Sequence, residues 1–242
     1  MEHNSTVINV ENLVKKFGDF IANDHLTFHV KKGEIFGFLG ANGAGKTTAM
    51  RILCGLSKPT SGRVEVAGYN VYHQTEKVKK SIGYMSQKFS LYEDLTVKEN
   101  FRFYGGIYGL SKKHIRKRTD ELLEKLNFSH AARRKISDIP LGWKQKLAFS
   151  IAIIHEPDIV FLDEPTGGVD PITRRQFWEM IYETASRGVT VFVTTHYMDE
   201  AEYCDRVTIM DQGVIEALDT PENLKEQYNV DSMNKVFVKI AR

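Results

Sequence analysis

Eight consecutive residues, Gly40-Ala41-Asn42-Gly43-Ala44-Gly45-Lys46-Thr47, have the types and spacing to cradle a chain of phosphates. Three glycines let the backbone turn tightly and aim successive N–H groups inward, and the positive end of a following helix adds to the pull on an anion. Lys46 suits the outer phosphates, the Thr47 hydroxyl suits a magnesium ion, and Thr48 stands beside it. Together they predict ATP with magnesium as the ligand. Far along the chain, Ile159-Val160-Phe161-Leu162-Asp163-Glu164 is an apolar run ending in two acids. Asp163 is placed to order the magnesium shell and Glu164 to polarise a water in line with the γ-phosphate. A third run, Val189-Thr190-Val191-Phe192-Val193-Thr194-Thr195-His196, ends on an imidazole able to hold the γ-phosphate and that water. Plainer accounts exist: a glycine turn with an incidental lysine, an acid pair that merely ends a strand, a surface histidine. The full eight-residue match weighs against the first, and the shared placement at strand ends weighs against the others.

The elements that must position these groups are visible in the hydrophobic pattern. Glu34 to Leu39 is an apolar strand entering the glycine loop, and Met50, Ile52, Leu53 and Leu56 follow at helical spacing. Further strands are predicted at Val7 to Leu13, Leu26 to Val30 and Arg63 to Val66. From Lys88 to Ile151 helical patterns dominate: Val97 to Tyr108, Lys112 to Leu126, and a helix from about Gly142. Strand texture returns at Ile159 to Leu162, Val189 to Thr194 and Arg206 to Met210, with helices at Ile172 to Arg187 and Tyr197 to Tyr203 between them. Alternating strands and helices predict parallel βαβ units of an α/β fold, whose chemistry gathers at the carboxyl ends of the strands. The expected organisation is a core of residues 1–87 and 152–222, a helical subdomain over 88–151, and a C-terminal extension over 223–242. In that extension Val236, Val238 and Ile240 alternate like a strand, while Ser232 equally suits the cap of a short helix.

Composition narrows the rest. Across 242 residues, 42% are hydrophobic and 26% charged, with a net charge of +2, too mild a balance to point at nucleic acid or an anionic surface. Cys54 and Cys204 stand far apart and read as packing residues in a reducing compartment. No apolar stretch approaches the ~18 residues of a membrane span, and Met1 to Thr6 is too polar for a signal core. Any membrane role must therefore come through a partner. The basic runs at 112–118 and 133–135 lack interleaved aromatics, so no nucleic-acid partner is expected and solvated helix faces account for them.

With these motifs in place, the chain resembles the nucleotide-binding domain of ABC transporters over about residues 7–220. The resemblance implies a P-loop NTPase with a RecA-like mixed sheet, an antiparallel β portion and an inserted helical subdomain. It implies that Phe17, in Val14-Lys15-Lys16-Phe17-Gly18, stacks on adenine. Gln87, in Ser81-Ile82-Gly83-Tyr84-Met85-Ser86-Gln87, looks like the glutamine that joins the two subdomains and touches magnesium alongside Thr47 and Asp163. Asp170, in Gly167-Gly168-Val169-Asp170, looks like the loop through which paired domains sense each other, and His196 corresponds to the switch histidine. A further stretch, Leu91-Tyr92-Glu93-Asp94-Leu95-Thr96-Val97-Lys98-Glu99-Asn100, is similar to ATPases serving exporters. Two cassettes, identical or different, would then face head to tail, closing on ATP and opening on hydrolysis. A separate membrane permease would bind near Gln87, where Phe89, Leu91, Tyr92 and Leu95 either receive a short helix or simply pack the subdomain. The expected location is cytoplasmic, peripheral at the inner face of the membrane.

One segment departs from the pattern. Where the family usually reads Leu-Ser-Gly-Gly-Gln, this chain has Ile139-Pro140-Leu141-Gly142-Trp143, with Lys144-Gln145-Lys146-Leu147 fixing the register. Pro140 and Leu141 replace a serine and a glycine in a segment expected to touch the partner's nucleotide through residues 140–143. Proline suits the first turn of a helix, and the N–H groups from Leu141 onward are expected to stay free. The missing hydroxyl removes one charge-assisted hydrogen bond, about 1.5–3 kcal/mol. Intact Glu164 and His196 favour a transport ATPase. The altered segment favours a nucleotide-gated regulatory module with slow or absent hydrolysis.

Overall fold

The computed structural model describes residues 5–88 and 90–240. Phe89, named above either as a membrane-partner contact or as packing of the subdomain, lies outside the described residues, as do 1–4 and 241–242 at the ends of the expected N- and C-terminal segments. Two long strands, β1 (Thr6–Phe17) and β2 (Phe20–Lys31), form a hairpin, and β3 (Ile35–Gly40) delivers the glycine loop to α1 (Lys46–Leu53). Next come β4 (Ser61–Val66), β5 (Tyr69–Asn70), α2 (Thr75–Ser81) and β6 (Ile82–Met85). Three helices follow, α3 (Val97–Ile107), α4 (Lys112–Lys125) and α5 (Leu141–Ala152). The chain then runs through β7 (Ile159–Asp163), α6 (Pro171–Ser186), β8 (Thr190–Thr195), β9 (Arg206–Asp211), β10 (Val214–Asp219), α7 (Pro221–Gln227) and α8 (Met233–Ile240).

One sheet is antiparallel, ordered β2-β1-β4-β5, and the other is ordered β10-β9-β3-β8-β7-β6. In the larger sheet every pairing is parallel except β10 with β9. Every residue of β3, β7 and β8 is buried, which is why they read as continuous apolar runs and not as alternating ones. Between the two sheets, Phe28, Phe36, Phe38, Phe161 and Phe192 pack ring against ring with α1. The opposite face of the larger sheet packs on α6 and α8 through Phe177, Trp178, Met233 and Val236. A third cluster, with Val97, Phe101, Ile115, Leu122 and Leu147, binds α3, α4 and α5 to one another.

Local chemistry sets the helix starts. Thr96 and Glu99 form a reciprocal cap on α3, each side chain meeting the other's backbone N–H, and Asp170 caps α6 ahead of Pro171. Several expectations shift. β1 and β2 run well past their apolar stretches, because β2 stays paired with β1 through Lys15 and Lys16, opposite Asn23 and Ile21, while β4 pairs with it as far as Val14. Met198–Tyr203 winds as a 3-10 turn and not an α-helix. The C-terminal segment is a helix: the Ser232 carbonyl accepts from Lys235 and Val236, Val236 is fully buried and Val238 is 53% exposed. Its apparent alternation is therefore one turn of an amphipathic helix.

Candidate functional site

β3 opens directly into the loop at 40–47, at the carboxyl end of the larger sheet. Gly43 and Gly45 both take positive φ, 86° and 98°. A Cβ on Gly45 would lie 2.3 Å from the Ala22 carbonyl, so this turn admits only glycine. Ala44 donates to Ala41, whereas the N–H groups of Gly43, Gly45, Lys46, Thr47 and Thr48 meet no protein acceptor among the described residues. This concave run of donors at a helix start is an anion cradle. Lys46 is 4% exposed; its Nζ donates to the Gly40 and Ala41 carbonyls at 2.8 and 2.9 Å and lies 3.7 Å from Glu164 Oε1. Burial lowers the pKa of its ammonium, opposed by the nearby Glu164 and Asp163 carboxylates. From outside, buried Asn23 donates through Nδ2 to the Gly45 carbonyl at 3.1 Å, and Gly213 donates to Ala44 at 3.2 Å.

The acids arrive from the adjacent strands. β7 and β8 pair so that Asp163 stands beside Thr194. Asp163 Oδ1 accepts from Thr194 Oγ1 at 2.6 Å and from Thr47 Oγ1 at 3.2 Å. Burial raises its pKa, and those two donors work against the rise. Glu164 takes a left-handed conformation, φ 47°, held by its N–H donating to the carbonyl and hydroxyl of Thr194 at 3.1 and 3.0 Å. Its side chain gathers the remaining groups: Gln87 Nε2 donates to Oε2 at 3.0 Å, and His196 Nδ1 lies 3.2 Å from the same oxygen without hydrogen-bond alignment. Lys46, Thr47, Gln87, Asp163, Glu164 and His196 thus converge on one mouth, as their spacing along the chain requires. Thr194 and Asn23 were not anticipated. The strand register would have found Thr194, because it places a hydroxyl beside Asp163.

The donor set suits magnesium. A hydroxyl, a carboxylate and an amide oxygen are hard ligands, and the Gln87 nitrogen is already engaged by Glu164, which leaves its oxygen for a cation. Among the described residues no three His, Cys, Asp or Glu side chains are grouped to hold a metal by themselves. Magnesium characteristically completes its shell with phosphate oxygens and water.

The other expected contacts lie elsewhere. Phe17, 55% exposed, sits at the tip of the β1–β2 hairpin with the Lys15 ammonium 4.7 Å from its ring centre. Pro140 is the N-cap of α5, in the extended region and without a side-chain cap bond, and not a residue of the first turn. Its carbonyl accepts from Trp143 and Lys144, both at 3.0 Å, so only Leu141 and Gly142 keep open N–H groups at this helix start. That is fewer than the sequence suggested. Trp143 is also turned away: its ring stacks on Phe128 at 4.2 Å, and the Lys146 ammonium covers it at 4.7 Å. Leu141 is 46% exposed and reaches toward Gly168. Gly142 abuts Thr173, where a Cβ would come within 2.7 Å of the threonine methyl. Asp170 accepts from Ile172 N, Thr173 N and Thr173 Oγ1, bonds that hold its carboxyl below the usual range. None of these residues hydrogen-bonds to the mouth around Glu164.

Near Gln87, Leu91 lines a cavity of about 330 Å³ with Tyr84, Tyr104, Tyr108 and Ile151. Tyr92 is half exposed, its ring meeting Phe103 edge-on at 4.7 Å, and Asn100 brackets its backbone from both sides. Leu95 is half-buried. Among the described residues no helix is long and apolar enough to cross a membrane.

Known proteins resemble this chain in sequence and fold. The sequence profile described as ABC transporter matches residues 23–167. A probable multidrug ABC transporter ATP-binding protein, YbhF of Escherichia coli, is 48% identical over 240 residues, covering 97% of this chain but 42% of YbhF. The chain thus spans well under half of that relative. The linearmycin resistance ATP-binding protein LnrL of Bacillus subtilis is 37% identical, with 96% of this chain and 75% of LnrL covered. Among solved structures, an ATP-binding subunit of an ABC transporter superposes with a TM-score of 0.89 at 28% identity, covering 98% of this chain and 100% of the other. A cassette in a post-hydrolysis state, dimeric and bound to ADP and Pi, gives 0.80 at 26% identity over 88% of this chain and 98% of its own.

Proposed function

The chain belongs to the ABC transporter family, and we propose that it is a cassette that binds and hydrolyses MgATP to drive export through a separate membrane permease. One observation carries this reading: a single carboxylate, Glu164, stands at the mouth of the phosphate loop in contact with Lys46, Gln87 and His196. Glu164 is the base that polarises the attacking water, and His196, whose Nδ1 lies beside the Glu164 carboxylate, steadies that water and the γ-phosphate. The open N–H groups of the loop and the Lys46 ammonium hold the β- and γ-phosphates. Thr47, Asp163 and Gln87 would hold the magnesium ion, whose chemistry there is to neutralise charge on the phosphates. Phe17 stacks on adenine at the hairpin tip.

A second cassette, identical or different, completes the site. Each nucleotide lies between one chain's phosphate loop and the other's segment 140–143, and Asp170 reports on the pairing. Residues 88–151 move as the helical subdomain against the core of 1–87 and 152–222. Leu91, Tyr92 and Leu95 receive the permease at the inner face of the membrane. The drug-resistance and multidrug names of the relatives support export as the direction.

The test is Glu164→Gln, which keeps shape and removes the base. Phosphate release is expected to fall by about 10²–10⁴-fold while nucleotide affinity stays within about twofold. Full turnover in this variant would remove Glu164 from the role. A second reading, a nucleotide-gated regulatory module with slow hydrolysis, draws on Pro140, which places no hydroxyl at the α5 start. Steady-state phosphate release with and without a permease separates the two: only the transport ATPase is accelerated by the membrane partner.

A further inference from the structure

Behind the mouth lies a buried carboxylate that the reading above does not use. Glu200, in the 3-10 turn after His196, is fully buried. Its Oε1 accepts from Thr166 Oγ1 at 2.5 Å, and Thr166 is itself 1% exposed, two residues after Glu164. Arg174 Nε lies 3.6 Å from the same oxygen, and Arg174 Nη1 approaches Asp199 at 3.5 Å. Arg174 sits one helical turn past Asp170, to whose carbonyl its N–H donates at 3.0 Å. Its guanidinium covers the ring of Tyr197 at 4.3 Å, and that ring lies 4.2 Å from His196. Glu200 Oε2 and Arg174 Nε have no hydrogen-bond partner among the described residues. An apolar side chain here would leave the buried Thr166 hydroxyl without its acceptor, so the carboxylate is held by a specific partner and not by packing alone.

We propose that Glu200 is a positioning residue for hydrolysis, joining the turn after Glu164, the turn after His196 and the start of α6 into one rigid unit. Each of these segments carries one functional residue at or near its end: Glu164, His196 and Asp170. A charge-assisted bond from Thr166 fixes the first to the second, and the Arg174 guanidinium adds the third. Base and imidazole thereby keep a common frame when α6 shifts with a second cassette. This inference rests on the hydrolytic reading only for its kinetic consequence; the physical link is independent of it.

Thr166→Val removes the hydroxyl while keeping its shape, and Thr166→Ser restores it. In steady-state hydrolysis, Thr166→Val is expected to lower kcat roughly tenfold with KM for ATP changed less than about twofold. Thr166→Ser should recover at least half of kcat. The double variant Thr166→Val/Glu200→Gln should lose no more than the worse single, because both break one link. In amide hydrogen exchange of the nucleotide-free chain, Thr166→Val should speed exchange across residues 196–203, about thirty residues away in sequence. Wild-type kcat in Thr166→Val, a loss confined to KM, or unchanged exchange at 196–203 would each overturn the proposal. If the wild-type chain releases no phosphate, the hydrolytic reading fails, and the exchange experiment alone decides whether Glu200 joins the three segments.

Discussion

The start of α1 and the start of α5 are both helix N-termini facing solvent, yet they are finished in opposite ways. At α1 the chain supplies its own surroundings: Lys46 meets two carbonyls and a carboxylate, Thr47 meets Asp163, and Asn23 and Gly213 hold the loop from behind. At α5 the cap residue offers no side-chain bond, two N–H groups stay open, and Leu141 stands half exposed against Gly168. At α1 the side chains are engaged within the molecule, and the open N–H groups face a mouth that the chain itself has lined. The start of α5 presents backbone donors and an apolar side chain to whatever covers it. On the proposed reading, a site divided in this way binds nucleotide alone and reacts only when a second cassette closes it.

The sharpest way to break the contrast is to spoil the α1 half. Gly45→Ala places a Cβ 2.3 Å from the Ala22 carbonyl at φ 98°. Strain of this kind should weaken ATP binding by roughly ten- to hundredfold, read by titration with a fluorescent nucleotide. Wild-type affinity would mean that the α1 loop is less tightly specified than its contacts indicate.

A smaller effect should come from just beyond the far end of α5. His155, shortly after α5, places Nε2 at the Ile82 carbonyl and stacks on Tyr108 at 3.5 Å. Burial lowers its pKa from 6.5 to about 4. The unfolded chain therefore binds a proton at His155 before the folded one does. Its contribution is full above about pH 6.5 and declines as pH falls toward 4, by at most about 1.4 kcal/mol per unit. Urea midpoints between pH 7 and 4.5 should show a drop that His155→Gln reduces.

The smallest effect is expected at α5. Pro140→Ser restores a capping hydroxyl worth about 1 kcal/mol to the helix and does not lower phosphate release. A large loss of hydrolysis would show that the proline itself serves the closed state.

The loop at 40–47 and the acids at 163–164 were legible because their meaning is local: type, spacing and a flanking apolar run suffice. Thr194, Asn23 and Glu200 were not, because each acts across the fold, and an isolated threonine, asparagine or glutamate carries no signature of its register. The same limit explains β1 and β2, where partner strands extend the ladder through polar residues. It explains α8 as well, since Val236 and Val238 differ only in what packs against them. At α5 the type of residue was legible and its capping position was not.

The left-handed turn at Glu164 has a consequence for how the molecule assembles. Among the described residues its backbone N–H is answered only by Thr194, so the carboxylate cannot take its aim until β7 and β8 have paired across the α6 crossover. Parallel, non-local pairing of this kind forms slowly. The phosphate loop depends on pairing of the same kind, because β3, which carries it, lies between β8 and β9. Local loosening of β8 would therefore disturb the phosphate loop and the Glu164 turn together, since β8 is the strand between them.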